Sequence, residues 1–187
     1  MSYDPRVLPT DLPVPQDDGA ADHLPGLQLP SLWLESTQGE LDLAREAAGL
    51  LVLYLYPRTG RPGVEPPDGW DATPGARGCT PQSCGYRDHA DELRGLGARV
   101  VGLSAQSIDD QREAAERLEL PHPVAADPEL RLAVALGLPT FDFDGRQLYK
   151  RLSLVAERGR IVKVFYPVFP PNENAAQVVA WLREPAP

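Results

Sequence analysis

Cys79 and Cys84 are the only two cysteines of this 187-residue chain, and they stand five apart in Gly78-Cys-Thr-Pro-Gln-Ser-Cys-Gly85. The pair follows an apolar run and opens what reads as a helix, with Thr80 and Pro81 a suitable N-cap and N1 pair. A helix N-terminus presents unpaired N–H groups and a partial positive charge, so a thiolate placed at its mouth is stabilised. Two buried thiols acting as small hydrophobes are the competing reading, since free cysteine is often buried. Helical geometry weighs against it. At 100° per residue Tyr86, Ala90, Leu93 and Gly97 share one face, whereas Cys84 lies roughly 160° from Tyr86. In regular helix the two cysteines are separated by a rise of about 7.5 Å, beyond the ~7 Å Cα limit for a disulfide. Bonding them requires the first turn to unwind, which suits a redox cycle better than a static cross-link.

A chain of this length with 42% hydrophobic and 24% charged residues has enough material for one sizeable core. The formal net charge of −9 argues against nucleic acid or an anionic membrane as partner. The opening Met-Ser-Tyr-Asp-Pro-Arg lacks a secretory pattern, and the longest apolar run, residues 49–56, is too short to span a bilayer. A cytoplasmic location is the resulting expectation, and there a cysteine pair is catalytic or metal-binding more often than structural.

The elements that must position the thiols follow from periodicity. Residues 1–24 are rich in proline and aspartate and read as an extended arm outside the core, leaving 25–187 as one domain. Residues 27–43 alternate as a hairpin, and 50–56 form a continuous apolar run suited to a central strand. Residues 57–78 carry five prolines and five glycines without periodicity. A loop this long placed directly before Cys79 is expected to wall the thiol site. Next come a helix over 80–97, a strand over 99–104, a helix capped by Ser107 and running to 118, and a strand over 123–126. A helix opened by Pro128 ends near Gly137. Strands 151–156 and 161–165 flank Glu157-Arg-Gly-Arg160 as a hairpin, and Asn172 caps a last helix to 183. The result is an α/β protein with a central mixed sheet flanked by helices and an N-terminal β-hairpin. Sites in such sheets gather at the carboxyl ends of strands, where Cys79 falls.

The segment Gly78-Cys-Thr-Pro-Gln-Ser-Cys-Gly-Tyr-Arg-Asp88 resembles the peroxiredoxins of the bacterioferritin-comigratory or Q type, whose fold is thioredoxin-like. Residues 101–104, 121–127 and 150–155 support the resemblance, which extends from about 27 to 182. It implies a thiol peroxidase acting on hydrogen peroxide or alkyl hydroperoxides, with Cys79 the peroxidatic cysteine and Cys84 the resolving one. Their disulfide is then recycled by thioredoxin or a similar dithiol. Pro57 matches the family's motif proline and Arg151 its distant arginine. The motif threonine is missing, because Ala76 stands at its position; Thr59, Thr73 and Thr80 are the substitutes, and Thr73 is preferred because it opens a displaced Thr-Pro-Gly. Arg77 and Arg87 are further sources of positive charge, Arg77 reading as a solvated loop residue. The resemblance implies no cofactor, and a monomer or weak homodimer.

A metal set of Cys79, Cys84 and His89 cannot converge on one ion across ten helical residues. The glycine-rich pieces lack a phosphate-loop ending. The alternative class is a non-catalytic redox sensor or a thiol–disulfide exchange module, the latter weakened because such pairs normally read Cys-x-x-Cys.

Overall fold

The computed structural model describes residues 3–184. Trp33–Ser36 (β1) and Gly39–Asp42 (β2) form the first hairpin, followed by a single helical turn, Leu43–Glu46 (α1). Leu50–Leu55 (β3) leads through the long loop to Cys79–Asp88 (α2) and Ala90–Gly95 (α3). Ala98–Ser104 (β4), Ile108–Leu118 (α4), Val124–Ala126 (β5) and Arg131–Leu136 (α5) come next. A second small sheet pairs Thr140–Phe143 (β6) with Arg146–Tyr149 (β7). Leu152–Glu157 (β8), Arg160–Phe165 (β9) and Asn174–Arg183 (α6) complete the chain.

The main sheet runs β2-β1-β5-β4-β3-β8-β9, with β3 parallel to β4 and antiparallel to β8. This is the expected mixed sheet, and the apolar run of β3 lies at its buried centre. Its two-residue period divides the core. Leu51, Leu53 and Leu55 face one cluster, with Leu103, Leu132 and Leu154. Val52, Tyr54 and Tyr56 face the other, which holds Cys79, Tyr86 and Val178. The helix bearing both cysteines is thus packed on a floor of tyrosines. Tyr54 stacks on Tyr86 with ring centroids 4.2 Å apart. Its ring crosses β4 at Gly102, where a Cβ would stand 2.7 Å from ring atoms, so only glycine fits.

Beneath that floor, Tyr54 Oη bonds His122 Nε2 at 2.9 Å, and burial lowers the histidine's pKa from 6.5 to about 4. The folded state therefore refuses a proton that the unfolded chain accepts below pH 6.5. Stability is lost as pH falls from about 6.5 towards 4, by about 3 kcal/mol from this group. Urea midpoints at pH 7 and pH 4.5 should show this loss, and His122→Gln should show a shallower one.

Several local expectations are corrected. Residues 80–97 form two helices, broken at His89, and the first begins at Cys79 with Gly78 as its N-cap, at φ 107°. Thr80 is therefore inside the helix and caps nothing. Pro128 does not open α5; Asp127 does the capping, accepting from the N–H groups of Arg131 and Leu132. Asn172 lies in a 3₁₀ turn, Pro171–Glu173, ahead of α6. The β6–β7 hairpin, not anticipated above, turns on Asp144 and Gly145 at φ 49° and 69°, as a two-residue Asp-Gly loop favours.

The segment before residue 25 is extended, yet it is not outside the core. Ala21 and Leu24 are buried in the larger cluster, and Leu24 alone contributes about 2 kcal/mol of apolar burial. Residues 3–8 are held differently, by single hydrogen bonds and contacts to the long loop. Each such bond contributes about 1 kcal/mol net, less than the ordering cost of a residue or two. The arm is anchored at its inner end and weakly held at its outer end.

Candidate active site

Pro57 ends β3 and turns the chain so that the Arg58 N–H donates to Cys79 Sγ at 3.4 Å. Gly78 is required at the opposite approach. Its φ is open to glycine, and a Cβ there would collide with the ring of Pro171 and reach Leu8 at 3.1 Å. Cys79 follows as the first residue of α2, 2% exposed, at the base of a cleft of about 860 Å³.

Arg151, at the turn into β8 and only 3% exposed, reaches the thiol from below. Its Nη2 lies 3.2 Å from Cys79 Sγ and 3.1–3.2 Å from the carbonyls of Gly75, Ala76 and Arg77. Its Nη1 donates to Gln82 Oε1 at 2.6 Å. Among the described residues no carboxylate stands within salt-bridge distance of this guanidinium. A buried cation without a carboxylate partner is costly, and the Cys79 sulfur at 3.2 Å is the group it faces. The same guanidinium clamps the three carbonyls that deliver Cys79 to its helix.

Arg151 is itself held by a buried network. Gln82 Nε2 donates to Asn174 Oδ1 at 3.0 Å, and that oxygen also accepts from Tyr86 Oη and Ser153 Oγ at 2.8 and 2.7 Å. The network joins α2, β8 and the start of α6 under the thiol. Gln82 and Asn174 were not singled out from the sequence. The signal was present for Gln82, which lies four residues before Tyr86 and so shares its buried face.

Cys84 occupies a different setting one and a half turns further on. It is half-buried, and burial raises its pKa, with Arg87 opposing, Asp88 reinforcing, and Arg6 and Arg117 opposing at longer range. Both thiols are free and both lie within the regular turns of α2.

The remaining candidates separate cleanly. Thr73 is not brought to the thiol. Its hydroxyl donates to Gly69 O at 2.9 Å, and it lines a second cavity of about 280 Å³ beside Tyr166 and Val168. Thr59 lines the cleft that contains Cys79, buried, with its N–H and Oγ1 both donating to Gln106 Oε1 at 2.8 and 3.1 Å. Spacing favours Thr73 because it opens a Thr-Pro-Gly displaced by Ala-Arg-Gly from the cysteine; the loop instead carries that piece to the second cavity. Arg77, expected on the surface, is buried at 8% exposure, paired with Asp71 at 3.2 Å and donating to Val7 O at 3.0 Å. The loop itself is built around Trp70, which packs with Ala76 and Leu148 against Phe141 and Phe143 of the small hairpin. It walls the cleft as expected.

A buried thiol at a helix mouth, held by an arginine at the carboxyl end of a central strand in a mixed sheet, defines a thioredoxin-like thiol-redox domain. The redoxin family model matches residues 21–179. The chain therefore belongs to the redoxin family. Among curated relatives, the chloroplastic peroxiredoxin Q of Populus jackii is 26% identical over 158 residues, covering 82% of this chain. That of Sedum lineare is 27% identical over 141 residues, covering 73%. Each match spans 65% of the relative's own length. Among solved structures, peroxidoxin BcpB from Mycobacterium tuberculosis superposes with a TM-score of 0.69 at 24% identity, covering 86% of this chain and 97% of its own. A peroxiredoxin Q of Xanthomonas campestris gives 0.62 at 25% identity, covering 84% and 96%.

Proposed function

We propose that the protein is a thiol peroxidase in which Cys79 attacks a hydroperoxide, Cys84 resolves the product, and a thioredoxin-like dithiol closes the cycle. The observation that carries the reading is the 3.2 Å approach of a buried arginine, free of carboxylate partners among the described residues, to the sulfur of Cys79. The Cys79 thiolate attacks one peroxide oxygen, the S–O bond forms and the O–O bond breaks. The leaving alkoxide or hydroxide takes a proton and departs as alcohol or water. Arg151 and the Arg58 N–H stabilise charge around the sulfur as it reacts. Cys84 thiolate then attacks the sulfenic sulfur, the S–S bond forms, the S–O bond breaks, and water leaves. An external dithiol supplies two electrons and two protons and restores both thiols.

The half-buried setting of Cys84, away from Arg151 and with its pKa raised by burial, supports a role different from that of Cys79 at the base of the cleft. Both cysteines sit on one helix, so the cycle closes within one chain and a monomer or weak homodimer suffices. The peroxide alkyl group has room in the cleft among Trp70, Phe143 and Leu148. Among the described residues no helix is long and apolar enough to cross a membrane. The charge of −9 opposes a nucleic-acid partner. A cytoplasmic location fits a cycle that draws on a dithiol-rich compartment.

The test is consumption of hydrogen peroxide and of a small alkyl hydroperoxide by the reduced protein with a dithiol donor. Saturable turnover supports the reading, and no consumption of either contradicts it. The hydroxyl that positions the peroxide is assigned to Thr59. Thr59→Val is expected to lower kcat/KM about a hundredfold, the scale of losing one aligned polar group. Thr73→Val should stay within about twofold of the parent, as substitutions away from the chemistry do; the reverse ranking would return the role to Thr73.

A further inference from the structure

We infer that residues 3–8 form a latch, fastened by Arg77, that holds the start of α2 wound and must lift before Cys84 can reach Cys79. This rests on the proposed redox cycle but concerns a segment and an arginine to which that cycle assigns nothing.

Three contacts define the latch. The Arg77 guanidinium donates to the carbonyl of Val7 at 3.0 Å and lies over the ring of Tyr3 at 4.5 Å. Tyr3 O accepts from the Gly63 N–H at 2.9 Å, which ties the same strand to the long loop. Leu8 packs close to Gly78, the N-cap of the cysteine helix, where a built Cβ would stand 3.1 Å from its side chain.

The physical consequence follows from what must move. Bonding Cys79 to Cys84 unwinds the first turn of α2, because five residues of regular helix hold their Cα atoms too far apart. Unwinding displaces Gly78 and Arg77, the two residues on which the strap is seated. The carbonyl of Arg77 is itself one of the three clamped by Arg151 while its guanidinium holds the strap, so strap and clamp hold the same short segment. Within residues 3–8 only Pro5 is buried, against the long loop at Gly60, and the rest of the strap's position depends on these partners. Arg77 is thus a positioning residue. It biases the helix start towards the wound form that presents Cys79 to peroxide, and against the unwound form that resolves the sulfenic acid.

The test uses the full chain in two redox states, reduced with a dithiol and oxidised to the Cys79–Cys84 disulfide with diamide, so that it does not depend on peroxide chemistry. Limited trypsin digestion is followed by intact mass for the product that begins at Val7. The disulfide form is expected to be cut after Arg6 about tenfold faster, because cleavage tracks the population of the lifted strap. Cys84→Ser treated with diamide should keep the reduced rate. In parallel, Arg77→Met and, should that variant fold poorly, Leu8→Ser are given one equivalent of peroxide. Disulfide formation is expected to be several-fold faster than in the parent, with less sulfinic acid at high peroxide. Equal cleavage in the two redox states, or parental resolution rates in folded variants, overturns the latch. Disulfide-linked release of the strap without peroxide consumption would keep the latch and remove the peroxidase reading instead.

Discussion

Replacing Cys79 with serine is expected to abolish peroxide consumption, whereas replacing Cys84 with serine is expected to leave one turnover per chain and to remove recycling by the dithiol. The asymmetry follows from placement. Cys79 is the sulfur within 3.2 Å of Arg151 and at the base of the cleft, while Cys84 is half-buried on the same helix with its pKa raised by burial. A serine hydroxyl at 79 has no accessible oxyanion at neutral pH and cannot be oxidised, so the loss in kcat is expected to be at least about 10⁴-fold, the scale seen when a covalent nucleophile is removed. With Cys84→Ser the first step survives. Stoichiometric peroxide loss should be followed by accumulation of Cys79 sulfenic acid, readable with a sulfenate-specific reagent, and by sulfinic acid at excess peroxide. Equal multiple turnover in the Cys84→Ser protein would show that resolution comes from the external thiol alone.

The second large effect is at Arg151. Arg151→Met is expected to lower the rate of the first step by about 10²–10³-fold, the scale of losing a preorganised donor to developing charge. It also leaves the carbonyls of Gly75, Ala76 and Arg77 without their common donor, and buried acceptors so abandoned cost about 1–3 kcal/mol each. Folding and catalysis should therefore fall together. Arg151→Lys separates them, since it keeps the charge near Sγ but cannot span the sulfur, the carbonyls and Gln82 at once. Its stability, measured by urea denaturation, should recover more than its rate, measured by stopped-flow peroxide consumption. A lysine variant with parental kinetics would show that charge alone suffices and that the fork is dispensable.

Much of this was legible in the chain because it is local. The apolar run 50–56 has no polar alternation and so reads as a strand buried on both faces, which β3 is. The Glu157–Arg160 turn carries its conformation in its residues, with Arg158 and Gly159 at positive φ. The cysteine segment placed both thiols on one helix. What was not legible depended on partners far away in sequence. Arg77 looks solvated when read with its glycine neighbours. It is buried because Val7 and Tyr3, some seventy residues earlier, fold onto it. The arm's composition cannot form a core, yet its inner end borrows one at Ala21 and Leu24. Thr59 lines the cleft of Cys79 and Thr73 does not, because the loop from 57 to 78 packs around Trp70 and the β6–β7 hairpin, a packing that spacing along the chain does not record. The hairpin itself did carry a local signal in Asp144-Gly145.

The most direct measurement gives the reduced protein one equivalent of hydrogen peroxide, quenches it with an alkylating agent, and maps the cysteine peptides by mass. The expected product is a single peptide holding both Cys79 and Cys84, two hydrogens lighter than its reduced form and not alkylated, with the peroxide consumed. Two alkylated thiols beside unreacted peroxide would contradict it.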